Sequence, residues 1–441
     1  MKNPFGKKSN PNNESEEIFE NGENTAKSND KYAFVKKIGV YFSPEPQREK
    51  VLRHEDFNAA GDPYYASVSV GYKITQRFLI LFLVVFLVFS FITNYREITF
   101  DNFFYLMKEF TSVADTENSN YETLSYNSDS RHVFALYRGG VAIANPSRIS
   151  IYTATGRNAL DLASTFSAPC IEVSNKYALV YDTAGNTFSV YNSLSRIFTK
   201  TLDFPITDAH IDEDGGFAVV TRGDATQSSR IYIYNKNFKP YAMIPMNKYA
   251  FDVKISKELD RIVGVYYDNG NGTGQTTVSI RRYSDPEEEM LSISVMGEFP
   301  LSFGYLENGR TALMTNRSVR IYDKNFEEIN RYEYSNVTLT GFSLSDQGGA
   351  VSYVGDSKNI VIAFDKEGNL LYNDNVYRNV VDVAVFGKYV FMRTESGVIR
   401  IEPRTTTEEE LLSDQGQMLV YDENTVLVCG SSKAEYLVFE E

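Results

Sequence analysis

The fold is decided by residues 212–237, which read DEDGGFAVVTRGDATQSSRIYIYNKN. An Asp/Gly turn opens the stretch and leads into a strand of small and β-branched residues, Ala218-Val219-Val220. A polar loop follows, then the strand Ile231-Tyr232-Ile233-Tyr234, then an Asn-Lys-Asn turn. Asx and Gly residues tolerate the backbone of tight turns, and β-branched and aromatic side chains favour strands. The stretch therefore predicts consecutive antiparallel strands joined by hairpins.

The same pattern recurs along the chain. Its aromatic-ended strand returns at intervals of 37 to 49 residues, at 149–152, 188–191, 231–234, 278–283, 319–322 and 360–364, with two degenerate copies at 398–401 and 436–439. The Asp/Gly turn returns at 306–309 and 345–349. A period near forty with strand chemistry is typical of the four-stranded blades of a β-propeller. The predicted fold class is all-β.

The two ends of the repeat region predict how the ring closes. The last copy ends at Glu441 without an outer strand of its own, whereas Tyr121-Glu122-Thr123-Leu124-Ser125-Tyr126 precedes the first copy and lacks inner partners. Pairing that segment onto the final blade would remove the exposed sheet edges that promote aggregation. We expect eight blades, with seven as the alternative.

The repeat resembles known propellers. The Asp/Gly turn, the Ala-Val strand and the Ile-x-Ile-Tyr-Asp-Lys strand resemble the WD40-like and quinoprotein-like superfamily. The layout of the whole chain is similar to an uncharacterised family of single-pass, membrane-anchored propeller proteins of Gram-positive bacteria. The Trp-Asp and Gly-His pairs of true WD40 repeats are missing, as are the tryptophan docking motifs of quinoproteins, since the chain has no Trp. The resemblance therefore implies a fold and no specific activity.

A second segment predicts a membrane anchor. The window between Arg77 and Arg96 holds 18 uncharged residues, which is near the lower limit for crossing a bilayer. Tyr72 and Tyr95 fit an interfacial aromatic belt. The anchor residues are Phe78, Leu79, Ile80, Leu81, Phe82, Leu83, Val84, Val85, Phe86, Leu87, Val88, Phe89, Ser90, Phe91 and Ile92. A cleaved signal peptide would begin at the N-terminus, whereas 77 residues precede this segment.

These features divide the chain into five predicted parts. Residues 1–31 are polar and predicted to be disordered, 32–77 form a cytoplasmic juxtamembrane segment, 78–95 a transmembrane helix, 96–118 a linker and 119–441 the propeller. Within the juxtamembrane segment, Ala66-Ser67-Val68-Ser69-Val70 alternates as a strand does. A slight excess of Lys and Arg before the anchor favours a cytoplasmic N-terminus and an extracytoplasmic propeller in the cell membrane.

Charge and composition exclude several function classes. Residues 1–77 carry 12 Lys/Arg and 11 Asp/Glu, so the acidic excess of the chain (net charge −14) lies in the propeller region, which disfavours nucleic acid as a partner. Cys170 and Cys429 are too few for a disulfide scaffold; we expect two small buried residues, with a bridge between the first and last blades as the alternative. No catalytic, metal-binding or cofactor motif is present, so none of these sites is predicted.

Binding is therefore expected at loops. The connections between the second and third strands of each blade gather on one face of a propeller, and their candidate residues are Asp182, Asp224, Asp268, Asn316, Asp356 and Glu395. The favoured function is a membrane-anchored module that binds an envelope protein or polysaccharide. The alternatives are an extracytoplasmic glycan hydrolase or lyase that uses a pair of carboxylates, and a ligand sensor.

Overall fold

The computed structural model describes residues 63–94, 123–127, 131–153, 155–269, 272–334, 337–355, 358–405 and 407–440. The chain divides into two compact units, residues 1–98 and residues 99–441. The predicted disordered arm and the linker lie outside the described residues.

In the first unit one helix, α1, spans Pro63–Asn94. Its window Tyr72–Phe89 is long and apolar enough to cross a membrane, and all its side chains are exposed or half-buried. The strand-like alternation of residues 66–70 gave a wrong prediction, because these residues lie inside α1. A five-residue pattern is short, and helix formation is cooperative, so an established helix extends into its flanks at little cost.

The second unit is an eight-bladed propeller, as predicted. Each blade is an antiparallel sheet of four strands. In chain order the strands are β1 (Leu124–Ser125), β2 (Val133–Tyr137), β3 (Gly140–Ala144), β4 (Arg148–Tyr152), β5 (Asn158–Ala163), β6 (Pro169–Val173), β7 (Ala178–Asp182), β8 (Thr187–Tyr191), β9 (Arg196–Thr201), β10 (Ile206–Ile211), β11 (Phe217–Arg222), β12 (Ser229–Tyr234), β13 (Pro240–Met246), β14 (Tyr249–Ser256), β15 (Arg261–Asp268), β16 (Gln275–Arg281), β17 (Glu289–Met296), β18 (Pro300–Tyr305), β19 (Thr311–Thr315), β20 (Ser318–Tyr322), β21 (Glu328–Glu333), β22 (Thr338–Ser345), β23 (Gly348–Gly355), β24 (Lys358–Asp365), β25 (Leu370–Val376), β26 (Val380–Phe386), β27 (Tyr389–Thr394), β28 (Gly397–Glu402), β29 (Thr407–Leu412), β30 (Gln417–Val420), β31 (Thr425–Cys429) and β32 (Lys433–Val438).

The blades follow the chain in groups of four. Blade 1 is β2–β5, and each later group forms the next blade up to blade 7, β26–β29. In these blades the first strand lies at the centre of the ring and the fourth at its rim. A short 3₁₀ turn, Glu307–Gly309, joins the first two strands of blade 5.

Blade 8 joins the two ends of the propeller. It has the order β1-β32-β31-β30, so its outermost strand comes from the segment before blade 1. β1 is antiparallel to β32, with Leu124 opposite Ala434 and Ser125 opposite Lys433. The predicted closure is thus confirmed at these two residues.

The hydrophobic core lies between the blades, and a separate buried cluster fills each seam, the contact between two neighbouring blades. The strands second from the centre, β3, β7 and β31, are buried along their whole length. At the closing seam Leu124, Val141, Leu427 and Cys429 share one buried cluster. Both cysteines are free, so no bridge joins the blades; Cys429 is buried and Cys170 half-buried. Aromatic and β-branched side chains recur because every blade must cover both faces of its sheet.

Candidate functional site

The innermost strand of blade 3 carries a ladder of polar acceptors. Alternate side chains of β10 and of the residue after it accept hydrogen bonds from alternate backbone N–H groups of β14, the innermost strand of the next blade, and of the residue after that strand. The pairs are Asp208 Oδ2 with Val253 N–H (3.0 Å), His210 Nδ1 with Ile255 N–H (3.2 Å) and Asp212 Oδ2 with Lys257 N–H (3.0 Å). A central strand has no neighbour on its inner edge, so its N–H groups need such partners. These side chains therefore join two blades.

Two other seams use the same device. Asp252 Oδ2 accepts the Phe303 N–H at 3.0 Å, and Asp382 Oδ2 accepts the Met418 N–H at 3.4 Å. Asp208, Asp252 and Asp382 each follow a register shift in the innermost strand of their blade. These three Asp residues share a four-residue sequence pattern: an apolar residue, any residue, Asp, and then a small or β-branched residue. The search for repeats missed this pattern.

Lys254 interacts electrostatically with three carboxylates at the centre of the ring. Its Nζ lies 3.4 Å from Asp252 Oδ1. Burial alone would lower the pKa of Lys254, but the carboxylates of Asp252, Glu172 and Asp208 raise it above its usual value. Burial raises the pKa of Glu172, and burial together with Asp252 raises that of Asp208 well above its usual range. The cluster is a charge network spanning blades 2, 3 and 4.

His210 is held in its neutral form. Burial, aided by the charge of Lys254, lowers its pKa well below the usual value. Since Nδ1 accepts the Ile255 N–H, any proton on the neutral ring is on Nε2. Protonation of Nδ1 would break this bond and place a second cation near Lys254.

Five of the six predicted binding residues are described, and they lie at the end of the second strand of a blade or in the loop that follows it. Asp182 is buried, and its Oδ1 accepts the N–H groups of Ser167 and Ala168 at 2.9 and 2.7 Å. Asp224 accepts the Thr226 N–H and pairs with Arg230 at 2.5 Å. These two carboxylates hold their loops in shape.

The other four predicted residues differ in surroundings. Asp268 is half-buried at the end of β15, and Glu395 accepts a bond from Asn379 Nδ2 at 3.1 Å. Asn316 is exposed. Asp356 lies outside the described residues. A binding role for the six remains a prediction.

A group of exposed aromatic side chains lies over blades 4 and 5 of the propeller. In an antiparallel four-stranded blade, the loops between second and third strands and the links between blades reach the same face, here called the loop face. Tyr249 starts β14 and is 69% exposed, and Tyr267 stands opposite it on β15. Phe251 and Phe299 are 38% and 39% exposed. The Phe299 ring meets those of Phe251 (5.3 Å, 79°) and Tyr267 (4.9 Å, 65°) edge to face. These four residues are the aromatic patch.

Asn316 fixes one side of the aromatic patch. Its Oδ1 accepts the Phe299 N–H at 2.8 Å, and its own N–H donates to Phe299 O at 2.9 Å. Beneath it the Glu298 carboxylate accepts bonds from Thr315 (2.5 Å), Ser318 (2.6 Å) and Arg320 (2.5 Å). The patch therefore stands on a rigid polar base.

The described residues show no metal site. Among them there is no group of three or more His, Cys, Asp or Glu side chains that could hold an ion.

Family membership follows from residues 111–435. This region matches the model of the family of unknown function DUF5711. The chain belongs to that family. A search of curated proteins found no match.

Solved structures of other propellers share the fold. The Dos1 propeller is 10% identical, with a TM-score of 0.52 over 73% of this chain and 95% of that one. BamB from Moraxella catarrhalis is 10% identical, with a TM-score of 0.49 over 73% of this chain and 99% of that one. The Neurospora crassa Pan2 WD40 domain is 8% identical, with a TM-score of 0.45 over 73% and 96%. At such identities the similarity concerns the fold alone.

Proposed function

We propose that this DUF5711 protein is a membrane-tethered binding module whose loop face holds an envelope protein or polysaccharide. The observation that carries the proposal is the aromatic patch. Large exposed apolar clusters mark interaction sites, and Tyr supplies broad contact area at low entropic cost. Because the patch rests on Asn316 and the Glu298 network, little further ordering is needed on binding.

The tether in this proposal is α1. An apolar window of 18 residues, Tyr72–Phe89, fits a single crossing of the hydrocarbon core. Lys73 and Arg77 before the most apolar part favour a cytoplasmic N-terminus, which leaves the propeller outside. The lipid bilayer is then a partner in its own right.

The hydrolase or lyase alternative is not favoured by the inner carboxylates. Asp208, Asp212, Asp252 and Asp382 accept backbone N–H groups of neighbouring blades. A general acid must exchange its proton with a substrate, whereas these carboxyl groups hold the ring together. No observation specifically favours the alternative that the protein is a ligand sensor.

The test is site-directed photocrosslinking in native membranes. A photoreactive amino acid replaces Tyr249 in the aromatic patch. The matched control position is Tyr377, which is fully exposed on the same face and has no ring contact with the residues that the structure describes. We expect a discrete adduct from position 249 and none from 377. Phe299→Ala should reduce the adduct at least fivefold while the thermal midpoint stays within a few degrees.

Mass analysis of the adduct separates a protein partner from a glycan. Equal adducts from positions 249 and 377, or an adduct unaffected by Phe299→Ala, would contradict a binding role for the patch.

A further inference from the structure

One rim strand lacks the features that keep sheet edges from pairing. Natural edge strands carry charges or Pro in their interior, or are very short. β5 has Asp161, β9 has Lys200, β13 has Pro245, β21 has Arg331, β25 has Asp374, β29 has three Glu, and β1 has two residues. The only charged residue of β17 is Glu289, at its first position. With eight residues, β17 is also the longest outermost strand that the structure describes.

The free edge of β17 is exposed and apolar. β17 pairs with β16 alone, so its other edge is open. Met290, Leu291 and Met296 are 51%, 39% and 56% exposed. Unbranched Met side chains adapt to many partners and are common on binding surfaces. Such an edge is a template for a further strand.

The hydrogen-bonding direction along β17 is fixed. The Gly297 N–H donates to Gly274 O at 2.7 Å, so this pair and every second pair before it bond toward β16. Ser292 and Ser294 lie in the alternate positions, and their backbone N–H and C=O groups point outward. The outward groups are available to a neighbouring strand.

The charges at the two ends of β17 are opposite. The acidic run Asp285, Glu287, Glu288 and Glu289 is exposed before and at the start of the strand. At the other end Arg317 is exposed, and its Nη1 is 3.8 Å from the position that a Cβ would occupy on Gly297. Two such strands in antiparallel order bring each acidic end to the other's Arg317, whereas parallel order would place like charges together.

We propose that two copies of this chain pair through antiparallel β17 strands and form a two-fold dimer. Ile293 then lies opposite Ile293 of the second copy, Ser292 opposite Ser294, and Glu289 beside the end that carries Arg317. The interface is isologous and closes on itself, so it makes a dimer and no filament. One strand pair buries a small area, and confinement in a membrane raises the effective concentration. The dimer is independent of the aromatic patch.

Cysteine crosslinking of the full chain in lipid vesicles tests the dimer. Ile293 occupies a non-hydrogen-bonded pair, where Cα atoms approach to about 4.5 Å, within the reach of a disulfide. Under mild oxidation we expect Ile293→Cys to give a dominant dimer band. The native chain, with only Cys170 and Cys429, and Asn375→Cys on the exposed rim strand β25 should give no covalent dimer band, because their cysteines do not meet across the proposed interface.

Two further variants distinguish specific pairing of the β17 strands from crosslinking by random collision. Ser294→Pro removes an outward N–H and leaves the bonds to β16 intact, since Pro is tolerated at such edge positions. In the Ile293→Cys chain it should reduce crosslinking at least fivefold at an unchanged thermal midpoint. Arg317→Glu should also reduce it severalfold, and adding Glu289→Arg should restore it. A crosslink absent at position 293, or unaffected by Ser294→Pro, would overturn the dimer.

Discussion

Asp252 shows how a single side chain supports two neighbouring blades. It accepts the buried Phe303 N–H of blade 5 and pairs with Lys254 in its own strand. The same carboxylate thus accepts a hydrogen bond from the innermost strand of the next blade and balances the positive charge of Lys254 at the centre of the ring. Removal of this carboxylate would leave the Phe303 N–H without its acceptor and the charge of Lys254 less well compensated.

We therefore predict that Asp252→Ala lowers the free energy of unfolding by about 1–3 kcal/mol, the typical cost of an unsatisfied buried donor. Asp252→Asn keeps an acceptor for Phe303 and should cost less than the alanine variant. Urea denaturation of the propeller measures both. Asp268→Ala, at a half-buried carboxylate without a seam role, is the control and should change stability by less than about 0.5 kcal/mol. Equal losses for alanine and asparagine would argue against the seam bond.

His210 makes the seam between blades 3 and 4 sensitive to acid. Its pKa in the folded chain is well below the unfolded value near 6.5. Between these two pKa values the unfolded chain binds a proton that the folded chain does not, so stability falls as pH decreases below about 6.5. The raised pKa values of Asp208, Glu172 and Asp212 act in the opposite sense, because these groups bind protons more readily when folded.

Comparison with His210→Gln isolates the histidine. Glutamine offers an acceptor without this titration, so we expect the variant to lose less stability than the native chain between pH 7 and 5. Urea midpoints at several pH values measure the difference, and NMR of the imidazole gives the pKa directly. Parallel pH profiles for the two chains would exclude this role.

At the scale of elements, β1 has an importance out of proportion to its two residues. Leu124 is 2% exposed and packs into the seam shared by blades 8 and 1, whereas Ser125 is exposed. The strand also covers the edge of β32. Ring closure therefore depends on a few contacts made by residues distant in sequence.

We predict that Leu124→Ala destabilises the propeller by about 2–4 kcal/mol, the usual cost of a large-to-small change in a core. Ser125→Ala is the adjacent control and should be nearly neutral. Urea denaturation measures the loss, and light scattering should show earlier aggregation of the Leu124 variant once the edge of β32 is released. Similar midpoints for the two variants would mean that β1 adds little to closure.

At the scale of the whole molecule, the proposed function needs α1 to cross a bilayer. We expect the full chain to stay in the membrane after carbonate extraction and Leu83→Arg together with Phe86→Arg to release it, since each Arg costs about 2.5–3.5 kcal/mol near a helix centre. Tyr72→Arg, at the edge of the apolar window, is the control and should remain bound. Release of the control, or retention of the double variant, would contradict a single crossing by this helix.

Orientation is tested separately with Tyr377→Cys. An impermeant thiol reagent applied to intact cells should label this exposed position if the propeller is extracytoplasmic. Labelling only after lysis would place the propeller inside, and the partner would then be cytoplasmic.

The fold was largely predictable, because the signals that specify it are local and repeated. The forty-residue period, the Asx and Gly turns and the unpaired segment before blade 1 predicted eight blades and their closure. The seam carboxylates were also readable in principle, since Asp208, Asp252 and Asp382 occupy the same place in three innermost strands. The error at residues 66–70 came from a pattern too short to compete with an adjoining helix.

By itself the sequence determined that strands form and where they turn, and it favoured eight blades over seven, because backbone preference and burial pattern act over a few neighbouring residues. Only the tertiary structure decided which aromatic side chains face solvent: Tyr266 is buried and its neighbour Tyr267 joins the aromatic patch. The same holds for Arg317 and Gly297, which meet across blades. Exposure and charge pairing depend on what packs across a seam, and residues far apart in the chain supply those contacts.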